Sequence, residues 1–274
     1  MLKSIPQILR ERLQLPVGFS IADLVASIRT LPVKIDDFEV LDKVPSNELS
    51  SLTRMAMRQN GEPFLKWWHY FDIYSRELDS LVSHPEKSGL RRPLRVLEIG
   101  VWRGGSLGLW REYFGSDAVI YGVDIDPNSS LYNGTHAQVR IGSQTDCAFM
   151  NSVIDEMSGV DVVIDDGSHN SRDVIETLRC LWPRLTFGGL YFIEDLHTSY
   201  WPAWGGGLHR RTSSIEKLKS LVDVLHQPYF ERQADPFKLG ITQQELFSVS
   251  FFDSVTVLSK RDNLEPRPFR GGRK

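Results

Sequence analysis

The segment from Leu94 to Ser106 most constrains what this chain of 274 residues can fold into. Val96, Leu97 and Ile99 form a short apolar run, which is typical of a parallel strand buried on both faces. The glycines after this run allow a sharp turn, and a helix is predicted to begin near Ser106. Unpaired N–H groups at that helix start would bind an anionic or carboxylated cofactor. The pattern predicts a strand, a turn and a helix at a cofactor site. A tight βα turn that binds no ligand would have the same pattern.

The spacing of the glycines narrows the kind of cofactor. After Glu98 the order is Glu-x-Gly-x-x-x-Gly-Gly-Ser, which differs from the Gly-x-Gly-x-x-Gly of dinucleotide-binding proteins. An NAD dehydrogenase is therefore disfavoured. Asp124 ends the next predicted strand about 20 residues after Gly104, where an acidic residue binds ribose hydroxyls in nucleotide-binding α/β folds. Asp124 is the predicted ribose ligand, and Asp126 is the alternative. An Asp that only begins a turn at the end of a strand would also account for the pattern.

Strands alternate with helices from Leu94 onward, which predicts an α/β fold. We expect a Rossmann-like, doubly wound, mostly parallel sheet of seven strands with an N-terminal helical lid. The parallel strands are predicted at 95–99, 119–123, 137–141, 160–164 and 189–193, and a closing hairpin at 246–252 and 254–258.

Three regions are predicted along the chain: a helical lid at 1–88, a catalytic domain at 89–262, and a disordered tail at 263–274. Helices are expected at 21–30, at 63–82 and at 213–226. The second helix carries a broad apolar face, so it should pack against a large surface. Four of its polar or aromatic side chains either reach a ligand or belong to the core: Lys66, His69, Tyr70 and Tyr74.

Composition excludes several classes of function. A net charge of −3 with 24% charged residues gives no electrostatic footprint for nucleic acid. Cys147 and Cys180 lack metal-like spacing, so we expect no disulfide framework and a cytoplasmic location. The sequence contains no apolar run of the roughly 18 residues that a membrane span requires, so no membrane insertion is expected.

Acidic residues and histidines follow two predicted strands. Asp165, Asp166 and His169 come at the end of the fourth strand, and Glu194 and Asp195 end the fifth. If these strands are neighbours, the side chains meet at the carboxyl edge of the sheet, which is the ligand-binding edge of open α/β folds. Grouped carboxylates repel each other unless a cation compensates them, and Mg²⁺ prefers oxygen ligands. The pattern predicts a metal site, although each Asp alone could cap a strand end.

Four motifs together resemble the S-adenosylmethionine (SAM) dependent class I methyltransferases. Glu-Ile-Gly-Val with Gly-Gly-Ser, Val-Asp-Ile-Asp, Ile-Asp-Asp-Gly-Ser-His and Ile-Glu-Asp-Leu are similar to Mg-dependent sugar O-methyltransferases. Those enzymes modify macrolide and polyketide glycosides, as in the mycinamicin and elloramycin pathways, and methylated mycobacterial glycans. The resemblance implies metal ligands at Asp166, Glu194 and Asp195 and a general base at His169.

The sequence and the resemblance together predict where SAM and a sugar would bind. The expected cofactor-binding residues are Glu98, Gly100, Gly104, Ser106, Asp124, Ser143, Gln144, Asp146 and Asp165. Ser143, Gln144 and Asp146 lie where such enzymes contact adenine, but the same residues are equally suited to cap a helix. The aromatic and glycine-rich segment 198–209 would offer a mobile flap that stacks on a sugar, with His197, Tyr200 and Trp201 binding the substrate. Trp204 is a further candidate, and burial of the segment is the alternative.

Methyl transfer from SAM is an in-line displacement, so the protein must align the acceptor oxygen and remove its proton. Mg²⁺ holding two neighbouring sugar oxygens, with His169 as base, would meet both needs. The expected protein is a homo-oligomeric enzyme, a dimer or a tetramer, with a glycoside or oligosaccharide substrate. Alternatives are a catechol-like O-methyltransferase, a SAM-binding subunit without catalysis, and a non-heme iron oxygenase using Asp166, His169 and His197.

Overall fold

The computed structural model describes residues 49–231, 239–264 and 266–272. Its strands are β1 (Arg95–Ile99), β2 (Val119–Asp124), β3 (Gln138–Ile141), β4 (Val160–Asp165), β5 (Leu185–Ile193), β6 (Leu246–Phe251) and β7 (Thr256–Lys260). They form one seven-stranded sheet in the order β3-β2-β1-β4-β5-β7-β6. Strands β1 to β5 run parallel, whereas β7 is antiparallel to both β5 and β6. The predicted Rossmann-like fold with a closing hairpin is confirmed.

Helices cover both faces of this sheet. Within the described ranges they are α1 (Ser51–Arg58), α2 (Trp68–Ser83), α3 (Gly105–Phe114), α4 (Cys147–Met157), α5 (Ser171–Leu181), α6 (Ser214–Lys219) and α7 (Leu221–His226). One core joins α1, α2 and α3 to the sheet, with Tyr74 and Trp110 packed near Phe192 of β5. The other core joins α4 to α7 to the opposite face, around Trp182 and Tyr191. The apolar face of α2 therefore packs on the sheet.

Two predicted helices differ from the observed ones. The helix expected at 63–82 begins only at Trp68. The residues before it are not helical, and in this segment Phe64 packs against the core and Lys66 contacts Asp166. The segment 213–226 forms two short helices that meet at Ser220. Tertiary contacts override local helix propensity before Trp68, whereas at the second place Ser220 Oγ donates locally to Lys217 O at 2.6 Å. The helix predicted at 21–30 lies outside the described residues, and the domain bounds at 88 and 262 stay predictions.

A disulfide joins Cys147, the first residue of α4, to Cys180 near the end of α5. The two Cα atoms lie 5.6 Å apart although 33 residues separate the cysteines in sequence. The expectation that this chain contains no disulfide was wrong. Pairing depends on how α4 and α5 pack side by side, and cysteine spacing alone does not reveal that packing.

Across the described ranges, no helix combines the length and the apolar character needed to cross a bilayer.

Candidate metal and cofactor site

The predicted acidic residues meet at one edge of the sheet because β4 lies between β1 and β5. The register pairs Ile99 with Asp165 and Asp165 with Ile193, so these three strands end side by side. Asp166 follows β4 directly, and Glu194 and Asp195 follow β5. The carboxyl edge of three neighbouring strands therefore carries several carboxylates within reach of one another.

Asp166, His169 and Asp195 form a compact cluster at this edge. His169 Nε2 lies 3.7 Å from Asp166 Oδ1 and 3.6 Å from Asp195 Oδ2. One ligand atom from each residue lies within 4.8 Å of the other two. His169 and Asp195 both have left-handed backbone, with φ of 54°, which is uncommon outside glycine and costs free energy. Two carboxylates and an imidazole that converge in this way fit a divalent cation.

Glu194 is oriented differently from the other predicted ligands. Its Oε1 accepts hydrogen bonds from Lys66 Nζ, at 2.7 Å, and from the hydroxyl of Tyr74. Lys66 Nζ also donates to Asp166 Oδ2 at 2.8 Å and lies 3.7 Å from Glu98 Oε1. The lysine side chain is only 1% exposed. A buried ammonium group thus stands between two of the three predicted metal ligands.

The electrostatics of the cluster follow from burial and from this ammonium group. Burial raises the pKa of Glu194 to about 8, and the nearby charge of Asp166 adds to the rise. Burial likewise raises the pKa of Asp166, against the opposing effect of Lys66. Although burial acts to raise it, the pKa of Asp195 lies below its ordinary value because His169 and Tyr70 stabilise the carboxylate. Such opposed shifts are common at functional sites.

Two tyrosines of α2 hold the carboxylates after β5. Tyr70 Oη donates to Asp195 Oδ1 at 2.7 Å, and Tyr74 donates to Glu194. Both rings are fully buried in the core between α2 and the sheet. The sequence left open whether these side chains belong to the core or reach a ligand site. In the structure the rings belong to the core, and the hydroxyls reach the candidate site.

His197 lies beside the cluster. Its Nδ1 is 2.6 Å from Ser254 Oγ, and burial lowers its pKa. Its ring packs against Trp67 and Trp201, with centroids 5.7 and 4.9 Å away. Among the described residues, the group suited to a metal contains Asp195 and one histidine, and His197 is outside it. The donor set expected for an iron oxygenase, with Asp166, His169 and His197, is therefore not the set that the structure brings together.

The turn after β1 is held by Glu98. Its carboxylate accepts hydrogen bonds from Ser106 Oγ at 2.7 Å and from Trp110 Nε1 at 2.8 Å, and the residue is fully buried. Gly100 has a φ of 93°, and a Cβ there would lie 2.0 Å from the carbonyl oxygen of Asp166. The missing side chain lets the loops after β1 and β4 touch. Gly104, with a φ of 74°, is the N-cap residue just before α3 and has left-handed conformation.

Asp124 organises the same turn from β2. Its Oδ2 accepts hydrogen bonds from the backbone N–H groups of Val101 and Trp102, at 2.9 and 2.8 Å, and its Oδ1 accepts from Asp126 N–H. A carboxylate accepts about four hydrogen bonds, so one acceptor position remains on Oδ1. This geometry fits a ribose hydroxyl while also explaining why Asp124 shapes the loop.

The predicted adenine segment after β3 has a clear structural role. Asp146 caps α4 by accepting from the N–H groups of Ala148 and Phe149, and Ser143 Oγ bonds Thr145 Oγ1. Gln144 is buried, donates to Asp165 and accepts from Ser168 N–H at 2.7 Å. These contacts fix the loop after β4, and contact with adenine stays a prediction.

Asp165 points into the interior rather than toward the cluster. Its carboxylate accepts from Gln144 Nε2 at 3.2 Å and from Tyr191 Oη at 3.4 Å. The residue is 2% exposed, and burial raises its pKa to about 7. The two carboxylates at the end of β4 therefore point in different directions. Asp166 faces His169 and Lys66, whereas Asp165 contacts Gln144, which follows β3, and Tyr191 of β5.

The segment predicted as a sugar-binding flap packs closely beside the site. Ser199 is buried and shares a 2.6 Å hydrogen bond with Ser214, and a Cβ at Gly206 would lie 2.2 Å from Ser199 O. Trp204 lies 6.2 Å from the His169 ring, whereas Tyr200 is exposed at the surface. Trp201 and Trp204 thus flank the two histidines, and Tyr200 stands further out.

Two contacts were not foreseen from the sequence. Trp110, in the second turn of α3, donates to Glu98. Its position in the helix predicted only an apolar core residue and not a hydrogen-bond donor. Lys66 was considered as a residue that reaches a ligand, but its burial between Asp166 and Glu194 was not predicted.

Comparisons with known proteins show what this part of the chain is similar to. Residues 97–196 match the family model described as a methyltransferase domain. The crystallised MycE methyltransferase from the mycinamycin biosynthetic pathway, in complex with Mg and SAH, superposes with a TM-score of 0.66 and 29% identity. That match covers 80% of this chain and 58% of the MycE chain. The same enzyme has also been solved with Mg, SAH and mycinamycin VI.

Among curated proteins, the chain is similar to sugar O-methyltransferases. It is 35% identical over 240 residues to the 8-demethyl-8-(2-methoxy-alpha-L-rhamnosyl)-tetracenomycin-C 3'-O-methyltransferase of Streptomyces olivaceus, covering 83% of this chain and 58% of that protein. It is 35% identical over 184 residues to the mycinamicin VI 2''-O-methyltransferase of Micromonospora griseorubida, covering 63% and 45%. The chain spans about half the length of these relatives. The predicted resemblance to sugar O-methyltransferases is confirmed.

Proposed function

We propose that this chain is a Mg²⁺-dependent O-methyltransferase that transfers the methyl group of SAM to a sugar hydroxyl of a glycoside or oligosaccharide. The observation that carries the proposal is the convergence of Asp166, His169 and Asp195 within 4.8 Å at the carboxyl edge of the sheet. Relatives that match most of this chain act on rhamnosylated tetracenomycin and on an olivosyl-oleandolide. These relatives support the proposed substrate class, and a glycosylated polyketide is the first acceptor to test.

Asp166, Asp195 and Glu194 are the proposed cation ligands. A divalent cation held by these carboxylates would supply Lewis acidity that makes a sugar hydroxyl more acidic. Asp195 is already oriented by Tyr70, whereas Glu194 is engaged by Lys66 and Tyr74. The carboxylates also balance the positive charge that a divalent ion brings into a largely buried edge.

His169 is the proposed general base. Its Nε2 faces the two carboxylate oxygens that would hold the cation, so it lies next to where a bound hydroxyl would sit. An imidazole is suited to act as a general base, and His169 would accept the proton of the sugar hydroxyl. His197 and Trp201 line the same side of the site and are proposed to contact the sugar, with Tyr200 at its outer margin.

SAM is proposed to lie along the turn after β1. Asp124 would take a ribose hydroxyl at its remaining acceptor position, and the α3 N-terminus would take the methionine carboxylate. The residues proposed to line the rest of this path are Glu98, Gly100, Gly104, Ser106, Ser143, Gln144, Asp146 and Asp165. Assembly into a homo-oligomer also stays a prediction.

Isothermal titration with SAM and with Mg²⁺ tests this function on three variants. We expect Asp166→Asn to lose Mg²⁺ binding but keep SAM, and Asp124→Ala to lose SAM but keep Mg²⁺. Asp117→Asn removes an exposed carboxylate elsewhere and should change neither. Methyl transfer is then measured with rhamnosyl-tetracenomycin and with catechol as acceptors. Failure of the wild type to bind SAM would refute the proposal, and methylation of catechol alone would replace the sugar with an aromatic diol.

A further inference from the structure

The segment before α2, Glu62–Trp67, lies across the candidate site and is called the strap below. A Cβ at Gly105 would lie 2.2 Å from Glu62 O, so the strap rests directly on the turn where α3 begins. Phe64 packs edge-on against Phe71 at 6.0 Å, while Leu65 points outward and is 70% exposed. The next side chain, Lys66, points inward and contacts the carboxylates.

Lys66 occupies the space between two proposed cation ligands. Its Nζ is 2.8 Å from Asp166 Oδ2 and 2.7 Å from Glu194 Oε1. Mg²⁺ binds carboxylate oxygens at about 2.1 Å, so an ion held by both residues needs the same position between them. A cation and an ammonium group this close repel strongly in a buried environment of low dielectric constant. Lys66 and an ion ligated by Glu194 therefore exclude each other.

The remaining carboxylates allow an ion to approach before Lys66 leaves. Asp166 Oδ1 and Asp195 Oδ2 face His169 and are not bonded to Lys66. Both side chains are about one-fifth exposed, at 20% and 24%, whereas Lys66 and Glu194 are 1% exposed. Asp166 and Asp195 are therefore the carboxylates that solvent reaches, and Glu194 would become available as a ligand only after Lys66 has moved.

We propose that Lys66 is an internal competitor of the divalent cation, and that cation binding expels it and releases the strap. The inference rests on the proposed metal-dependent function. While no ion is bound, the ammonium group of Lys66 compensates the charge of Asp166 and Glu194, so that these buried carboxylates are not left unpaired. It also makes the affinity for the cation lower than the carboxylates alone would give.

Titration with Mn²⁺ in the absence of SAM tests the competition. Lys66→Met removes the charge but keeps a flexible side chain of similar length, so we expect it to bind Mn²⁺ about tenfold more tightly than the wild type. Lys66→Arg keeps the charge and should bind Mn²⁺ no more tightly than the wild type. Equal or weaker binding by Lys66→Met would overturn the inference while leaving the metal site intact. Loss of Mn²⁺ binding in all three proteins would refute the proposed function as well.

Hydrogen exchange measured by mass spectrometry tests the release independently of the variants. In the wild type, Mn²⁺ should increase amide exchange in a peptide that covers the strap, while exchange in the buried strand β4 stays unchanged. In Lys66→Met, strap exchange should already be high without Mn²⁺. Slower strap exchange after addition of Mn²⁺ to the wild type would overturn the inference even if Lys66→Met does not fold.

Discussion

Tyr70 Oη donates a 2.7 Å hydrogen bond to Asp195 Oδ1, which connects the core between α2 and the sheet to the proposed metal site. Asp195 has left-handed backbone, and its backbone N–H donates in turn to Tyr70 Oη at 3.3 Å. Tyr70 makes these two contacts from α2, the helix that the sequence predicted as part of a lid. Helix α2 is thus part of the machinery that orients a proposed ligand.

Removal of this hydrogen bond should weaken cation binding without unfolding the protein. In Tyr70→Phe the ring still fills the core, but Asp195 loses its orienting donor, so we expect Mn²⁺ affinity to fall about tenfold. Titration calorimetry measures the change. Tyr113→Phe is the matched control, because it loses a 2.7 Å hydrogen bond to Asp79 away from the site. Equal losses in both variants would show that Tyr70 acts through general stability alone.

Gly100 offers a second test, of how closely the loops after β1 and β4 must approach. Alanine there would combine a φ of 93° with a Cβ placed 2.0 Å from Asp166 O. We expect Gly100→Ala to lose about 3 kcal/mol or more of unfolding free energy in urea and to lose cation binding.

The control for this variant is Gly134→Ala. Gly134 has a similar φ of 83°, but no heavy atom lies within 4 Å of a Cβ built there. It should cost only the backbone strain of about 1 kcal/mol. If the two variants lose the same free energy, contact with Asp166 contributes nothing at Gly100.

Much of the fold could be predicted because it depends on local patterns. The bounds of β1 agree residue for residue, and the acidic residues after β4 and β5 meet because parallel neighbours end at one edge. Lys66 could not be placed in the same way. Lys66 contacts Asp166, which lies 100 residues away in sequence. The pattern of apolar residues around Lys66 predicted a helix, but in the structure the helix begins only at Trp68. The disulfide was missed for the same reason, since α4 and α5 approach each other only in three dimensions.

The disulfide between Cys147 and Cys180 should contribute measurably to stability. Closing a loop across a separation of 33 residues restricts the unfolded chain and is worth about 2–4 kcal/mol. We expect a reductant to lower the urea midpoint of the wild type by the corresponding amount. The double variant Cys147→Ser, Cys180→Ser should show a low midpoint that the reductant does not change. Two titratable thiols in the unreduced wild type would contradict the bond.

Trp201 gives the sharpest test of acceptor binding. Its ring packs 4.9 Å from His197 beside the proposed base, and a sugar could stack on an aromatic face there. With rhamnosyl-tetracenomycin as acceptor, Trp201→Ala should raise the KM for the sugar about tenfold, because an aromatic anchor at a binding site commonly contributes that much. The affinity for SAM should stay unchanged.

Two further variants separate stacking from indirect effects on His197. Trp201→Phe keeps an aromatic face and should retain most of the acceptor affinity. Trp68→Ala removes a tryptophan that is 53% exposed at the start of α2, and it should leave the KM unchanged. A fall in kcat with constant KM in Trp201→Ala would instead assign Trp201 to the orientation of His197, because substrate binding would then be independent of the ring.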